Sequence, residues 1–91
     1  MNDNEYAKKI LIEKLAAIEH ERWSHWQSYL HSQCSKNDDG SLTIPSELVI
    51  RWDKQMNTDY LNLTNTEKES DREQVEKYFH LLEDFVSSSV K

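Results

Sequence analysis

Gly40 is the only glycine of this 91-residue chain, and Pro45 is its only proline. In a helix interior glycine costs about 1 kcal/mol and proline about 3 kcal/mol relative to alanine, so these two residues mark where a helix is least favoured. Both fall within Ser32–Pro45. That stretch also holds Asn37-Asp38-Asp39-Gly40, a turn signal: short amide and carboxylate side chains bond the local backbone, and glycine accepts positive φ. Neither breaker occurs on either flank, and β-branched residues are sparse there. The expected fold is therefore all-α, a single domain over residues 1–91. It has long first and third helices, a shorter middle helix, a loop at 32–45 and an extended linker before the third helix.

The apolar pattern sets the faces. The first helix is expected from about Asn4 to Leu30 or His31. At 100° per residue, Ala7, Leu11, Leu15, Ile18, Trp26 and Tyr29 fall in one arc, which Ile12, Ala16, Trp23 and Leu30 widen on one side. An arc covering nearly half a helix needs two neighbours, or one neighbour and a partner chain. The second helix is expected from near Pro45, a good first-turn residue, to about Asn57, with Leu48, Val49, Trp52 and Met56 on one face. Residues 58–63 are too short and polar for a helix and read as an extended linker that inserts Tyr60 and Leu63 into the core. The third helix opens at Thr64, with Glu67 three residues on in capping-box spacing. Its face is Val75, Tyr78, Phe79, Leu82, Phe85 and Val86, and the same direction continues toward the N-terminus through Lys68, Asp71 and Arg72. The polar tail, 87–91, is expected to fray.

Leu, Ile, Val and Phe make up 20 of the 91 residues. That is close to the level at which a chain stays disordered, and three Trp and four Tyr supply the missing apolar area. A core this small is either efficient or shared, and the wide arc of the first helix predicts a homo-oligomer, most simply a two-fold dimer. Seventeen acids against eleven bases argue against a polymeric nucleic acid as partner. No apolar run reaches the length of a membrane span. MNDNEYAKK lacks the apolar segment of a signal peptide, and one cysteine, Cys34, fits a reducing compartment, so a cytoplasmic location is expected.

Motifs for catalysis and metal binding do not fit. His20-Glu21 followed by His25 misses the i,i+4 spacing that a zinc-binding HExxH needs. No cofactor or metal is expected. With one glycine there is no nucleophile elbow, P-loop or dinucleotide turn, and Cys34 near His31 reads as a cysteine without a role. An enzyme is not expected.

What stands out is charge inside apolar arcs. Glu19 and Arg22, an i,i+3 pair, lie among Leu15, Trp23 and Trp26. Of the three arginines, Arg22 and Arg51 each directly precede a tryptophan. Two readings are open. In one, surface ion pairs lay their stems over the indoles. In the other, Arg22 and Arg72 converge where the first and third helices meet and clamp an anion between aromatic walls, guanidinium on phosphate and indole on base.

Ala17-Ile18-Glu19-His20-Glu21-Arg22-Trp23 resembles the "A-x-x-I-H-E-x-W" opening of the RyR domain, the small helical repeat of ryanodine receptors that also occurs in bacteria and phages. A second signature follows in order: Tyr60-Leu61-Asn62-Leu63, then Glu67-Lys68-Glu69-Ser70-Asp71-Arg72, an aromatic, a Leu and a charged run closing on D/N-R. The likeness spans about Ile12 to Tyr78. Between the signatures, RyR domains carry a Gly-Trp or Gly-Tyr turn and a His-Pro segment, where this chain has NDDGSLTIPSELVIRW. The resemblance implies a ligand-recognition module for a nucleotide-derived small anion, with His20, Glu21, Trp23, Tyr60, Lys68, Asp71 and Arg72 at the matching positions. Arg22 joins them as the clamp residue proposed above. In such a site Arg72 would lie within reach of the His20–Trp23 turn, braced by Glu21. A lone module of this kind acts by sequestering its ligand, as a phage-type anti-defence sponge would, or by docking on a partner. The competing reading is a purely structural homo-oligomer or interaction adaptor with no small ligand, in which Glu21 and Arg72 form only a buried helix-to-helix bridge.

Overall fold

Three helices and one small hairpin follow one another along the chain. The computed structural model describes residues 3–90. Helix α1 spans Asp3–Gln33, the two-residue strands β1 (Ser35–Lys36) and β2 (Leu42–Thr43) come next, then α2 (Ser46–Met56), a single 3-10 turn (Tyr60–Asn62) and α3 (Asn65–Val90). The all-α reading holds, and the strands pair antiparallel, Ser35 with Thr43 and Lys36 with Leu42, inside the stretch expected to be a loop.

Each break has a local cause. Gly40 N donates to Asn37 O at 3.0 Å, and Gly40 takes φ +89°, the left-handed region that a Cβ disfavours. Asn37 N donates to Ser41 O at 2.9 Å and closes the hairpin loop. The Asp39 carboxylate accepts from Ser41 N at 2.9 Å and from Ser41 Oγ at 2.6 Å, while Asn37 Nδ2 donates to Thr43 Oγ1 at 3.0 Å. Pro45 sits at the N-cap of α2, one residue before its first helical position, and its carbonyl accepts from Leu48 N and Val49 N. The C-terminus of α2 closes on Asn57, whose Nδ2 donates to Asp53 O. The linker is extended at Asp59 and Leu63, with the 3-10 turn between them. The capping box expected at Thr64 is formed: Thr64 N donates to Glu67 Oε1 (3.0 Å), and Glu67 N donates to Thr64 Oγ1 (3.2 Å). Helix α3 then runs through Ser87 and Ser88 to Val90, where a frayed end was expected; Lys91 lies outside the described residues.

Packing is open. Helix α1 meets α3. The half-buried positions on α1 are Ala7, Leu11, Leu15 and Ile18 in its N-terminal part, with Gln27 and Leu30 nearer its C-terminus; those on α3 are Glu67 and Lys68 in its first turns and Gln74, Tyr78, Leu81, Leu82 and Phe85 further on. Helix α2 lies against the other end of α1, where Trp26 and Trp52 meet edge to face with ring centroids 5.5 Å apart. Since α3 leaves α2 and reaches the N-terminal part of α1, the two long helices run antiparallel. Among the described residues only Leu48 is buried, at 8% exposure. The radius of gyration is 18.4 Å, against about 12 Å for a compact chain of this length. Tyr60 does not enter a core as expected: it is half-exposed, and Leu63 is only half-buried. Met56, assigned to the inner face of α2, is 75% exposed.

Candidate functional site

The expected site residues fall into two groups on different elements. The first gathers at the start of α3. The capping box orients the first turn, and the 3-10 turn before it turns the Tyr60 ring toward that helix. Lys68 Nζ lies 5.7 Å from the Tyr60 ring centroid, a cation over an aromatic face. Arg72, one turn further on, pairs with Glu69 at 3.2 Å. Its guanidinium pKa is pushed further up, first by the Glu69 carboxylate and next by the Tyr60 phenol. Tyr60, Lys68 and Arg72 thus gather in one place: two cations, four residues apart on a helix, near one phenol. Glu67, in the same first turn, has its carboxyl held below its usual range, first by the Thr64 N–H and then by the Thr64 hydroxyl.

The second group lies on α1. His20 and Trp23 stack at 6.2 Å between centroids and 18° between planes. Arg22 pairs with Glu19, both about half exposed. Trp23 is 60% exposed.

The convergence expected between the two groups is not formed. The carboxylate partner of Arg72 is Glu69, not Glu21, and that of Arg22 is Glu19, so each arginine is satisfied on its own helix. Glu21 and Asp71 are exposed, and Arg72 is paired with Glu69, so the buried Glu21–Arg72 bridge is absent. The expectation that Asp71 and Arg72 point inward fails for a geometric reason. Asp71 continues the line of Gln74, Tyr78 and Leu81 but is exposed, and Arg72 lies on the neighbouring line of Val75 and Phe79, turned away from α1, where it ends 50% exposed. No buried charge remains among the described residues, so substitutions at Arg72 carry no penalty for a stranded carboxylate.

Two open depressions lie elsewhere. One of about 440 Å³ is lined by Gln33, Pro45, Glu47, Leu48 and Arg51. The other, about 330 Å³, is lined by Phe79, Leu82, Glu83, Val86 and Ser87. Neither contains an expected site residue. Arg51 was marked in the sequence only as the residue before Trp52; its place beside the buried Leu48 depends on how α2 docks, which no local pattern signals. Among the described residues, no group of three or more His, Cys, Asp or Glu side chains is clustered to hold a metal ion, and no helix is long and apolar enough to cross a membrane. Comparisons of the chain with protein-family models, with curated proteins and with solved structures found no match.

Proposed function

We propose that this chain is a non-enzymatic, RyR-like binding module for a small nucleotide-derived anion, acting in the cytoplasm by sequestering its ligand. The observation that carries this reading is the Tyr60–Lys68–Arg72 cluster at the N-terminus of α3. A guanidinium presents a planar fork to phosphate oxygens, an ammonium adds a second charge, and the phenol offers a face on which a base stacks. The first turn of α3 adds the partial positive charge of a helix N-terminus. Glu69 competes with the anion for Arg72, so the ligand displaces an exposed ion pair of small worth.

Titration calorimetry with mononucleotides and cyclic dinucleotides tests it. Binding should be lost in Arg72→Ala and Lys68→Ala with helicity unchanged, because both side chains are solvent-accessible. Glu69→Gln should tighten binding by releasing Arg72. No heat with any of these nucleotides, or wild-type binding in both cation variants, overturns the reading. A second reading, a helical interaction protein without a small ligand, is favoured by the large apolar side chains that α1 and α3 leave in solvent.

A further inference from the structure

Helices α1 and α3 each carry two apolar seams, and the chain uses one of each. On α1 the seam facing α3 is Ala7, Leu11, Leu15 and Ile18, all half-buried. Beside it runs Ile12, Ala16, Glu19, Trp23 and Trp26, spaced 4-3-4-3 and largely exposed, with Trp52 of α2 against Trp26 at its far end. On α3 the seam facing α1 is Gln74, Tyr78, Leu81 and Phe85. Beside it runs Lys68, Arg72, Val75, Phe79, Leu82 and Val86, spaced 4-3-4-3-4; Lys68 and Leu82 are half-buried and the rest exposed, Phe79 at 51% and Val86 at 57%. This alternation of three and four is what helices show when they pack side by side at a shallow angle. In both helices the open seam lies about 100° further round, in the sense of increasing residue number, than the seam in use. In an antiparallel pair that places both open seams on the same side of the hairpin. The result is one two-helix apolar face, with the 330 Å³ depression of Phe79, Leu82 and Val86 upon it.

We infer that this face is covered by a second copy of the chain, giving a four-helix homodimer. The area argues for it. The accessible surface is 7701 Å², whereas a folded monomer of 10.8 kDa exposes about 5,500 Å². The excess, about 2,200 Å², lies within the area each subunit of an obligate homodimer buries. The charges suit a self-complementary contact too. The α1 seam carries the exposed Glu19–Arg22 pair and the α3 seam carries Lys68 and the exposed Arg72–Glu69 pair, so one chain supplies both signs, as an isologous interface requires. This inference stands without the ligand reading. If both hold, the Tyr60–Lys68–Arg72 cluster sits at the polar end of the dimer interface.

Sedimentation equilibrium of the full chain, without nucleotide and in reducing buffer, tests it. The expected mass is twice 10.8 kDa at high micromolar concentration, with helical circular dichroism falling on dilution as the dimer dissociates. Added salt should tighten the dimer, because two copies of charge −6 repel. Phe79→Lys should weaken association by about 100-fold or more, and Asp84→Lys, an exposed position on the far side of α3 from the open seam, should leave it unchanged. Val86→Ala, a milder truncation that keeps the chain folded, should raise the dissociation constant about tenfold. A folded monomer at high micromolar concentration, a mass other than two copies, or a dimer that neither seam variant weakens overturns the inference. Every arm is run without nucleotide, so failure of the ligand reading is seen separately by calorimetry.

Discussion

The hairpin between Ser35 and Thr43 and the long helices α1 and α3 solve the same problem in opposite ways. In the hairpin, the polar groups find their partners within a few residues: Asn37 reaches Ser41 and Thr43, Asp39 reaches Ser41, and Gly40 supplies the one left-handed residue. The segment is complete by itself. The helices satisfy their backbones internally but not their apolar faces, and Trp23, Phe79 and Val86 stay in solvent although they lie on regular seams. Hydrogen bonding is a short-range demand that neighbouring residues meet. Burial needs another surface of matching size, and that surface comes from segments distant in the chain.

Variants sharpen this contrast, because a self-complete segment should respond independently of protein concentration. The largest effect within one chain belongs to Leu48, the one buried residue among those described. Leu48→Ala should lower unfolding free energy by about 2 kcal/mol in urea titration, near the low end for such truncations because the adjoining depression is open to solvent. Gly40→Ala should cost about 1–2 kcal/mol: a Cβ there meets open space, so the penalty is purely that of φ +89°. Thr64→Ala should cost about 1 kcal/mol by removing the N-cap of α3. For the last two variants, the shift in melting temperature should be equal at low and high protein concentration. A shift that grows on dilution would tie the hairpin or the cap to assembly and break the contrast.

The smallest effect is a pH dependence. Thr64 holds the Glu67 carboxyl below its unfolded pKa, and Ser41 does the same for Asp39, first through its hydroxyl and then through its N–H. A depressed folded pKa means that the native state binds the proton less well than the unfolded chain. The stabilisation is complete above the ordinary carboxylate range and fades as pH falls through the lowered folded values. Thermal melts between about pH 5 and about pH 3 should show a shallower decline in Thr64→Ala than in wild type. Equal slopes would mean that Glu67 draws nothing from the Thr64 hydroxyl and is held down by the backbone N–H alone.

Much of the fold was legible because its signals are local. Gly40 with its Asx neighbours marked the turn, Thr64 with Glu67 marked the start of α3, and the absence of breakers marked the long helices. Two details escaped. The strands Ser35–Lys36 and Leu42–Thr43 are too short to show an alternating pattern, and Tyr60–Asn62 closes one 3-10 turn within an otherwise extended linker. Half of the candidate site was legible too. Lys68 and Arg72 share a helix face by spacing alone, and Tyr60 is only a few residues before them. The expected link to His20, Glu21 and Trp23 was not, because it required knowing where α1 lies against α3.

The amino-acid sequence by itself determined where this chain turns, where its helices begin and which of their faces are apolar. Each of those follows from residues within a turn or two of one another. Only the tertiary structure decided which seam of each helix is used, that Arg72 meets Tyr60 and Glu69 instead of Glu21, and that a whole two-helix face stays open. Periodicity places a side chain around its own axis, but the neighbour that covers it is chosen by the packing of distant segments.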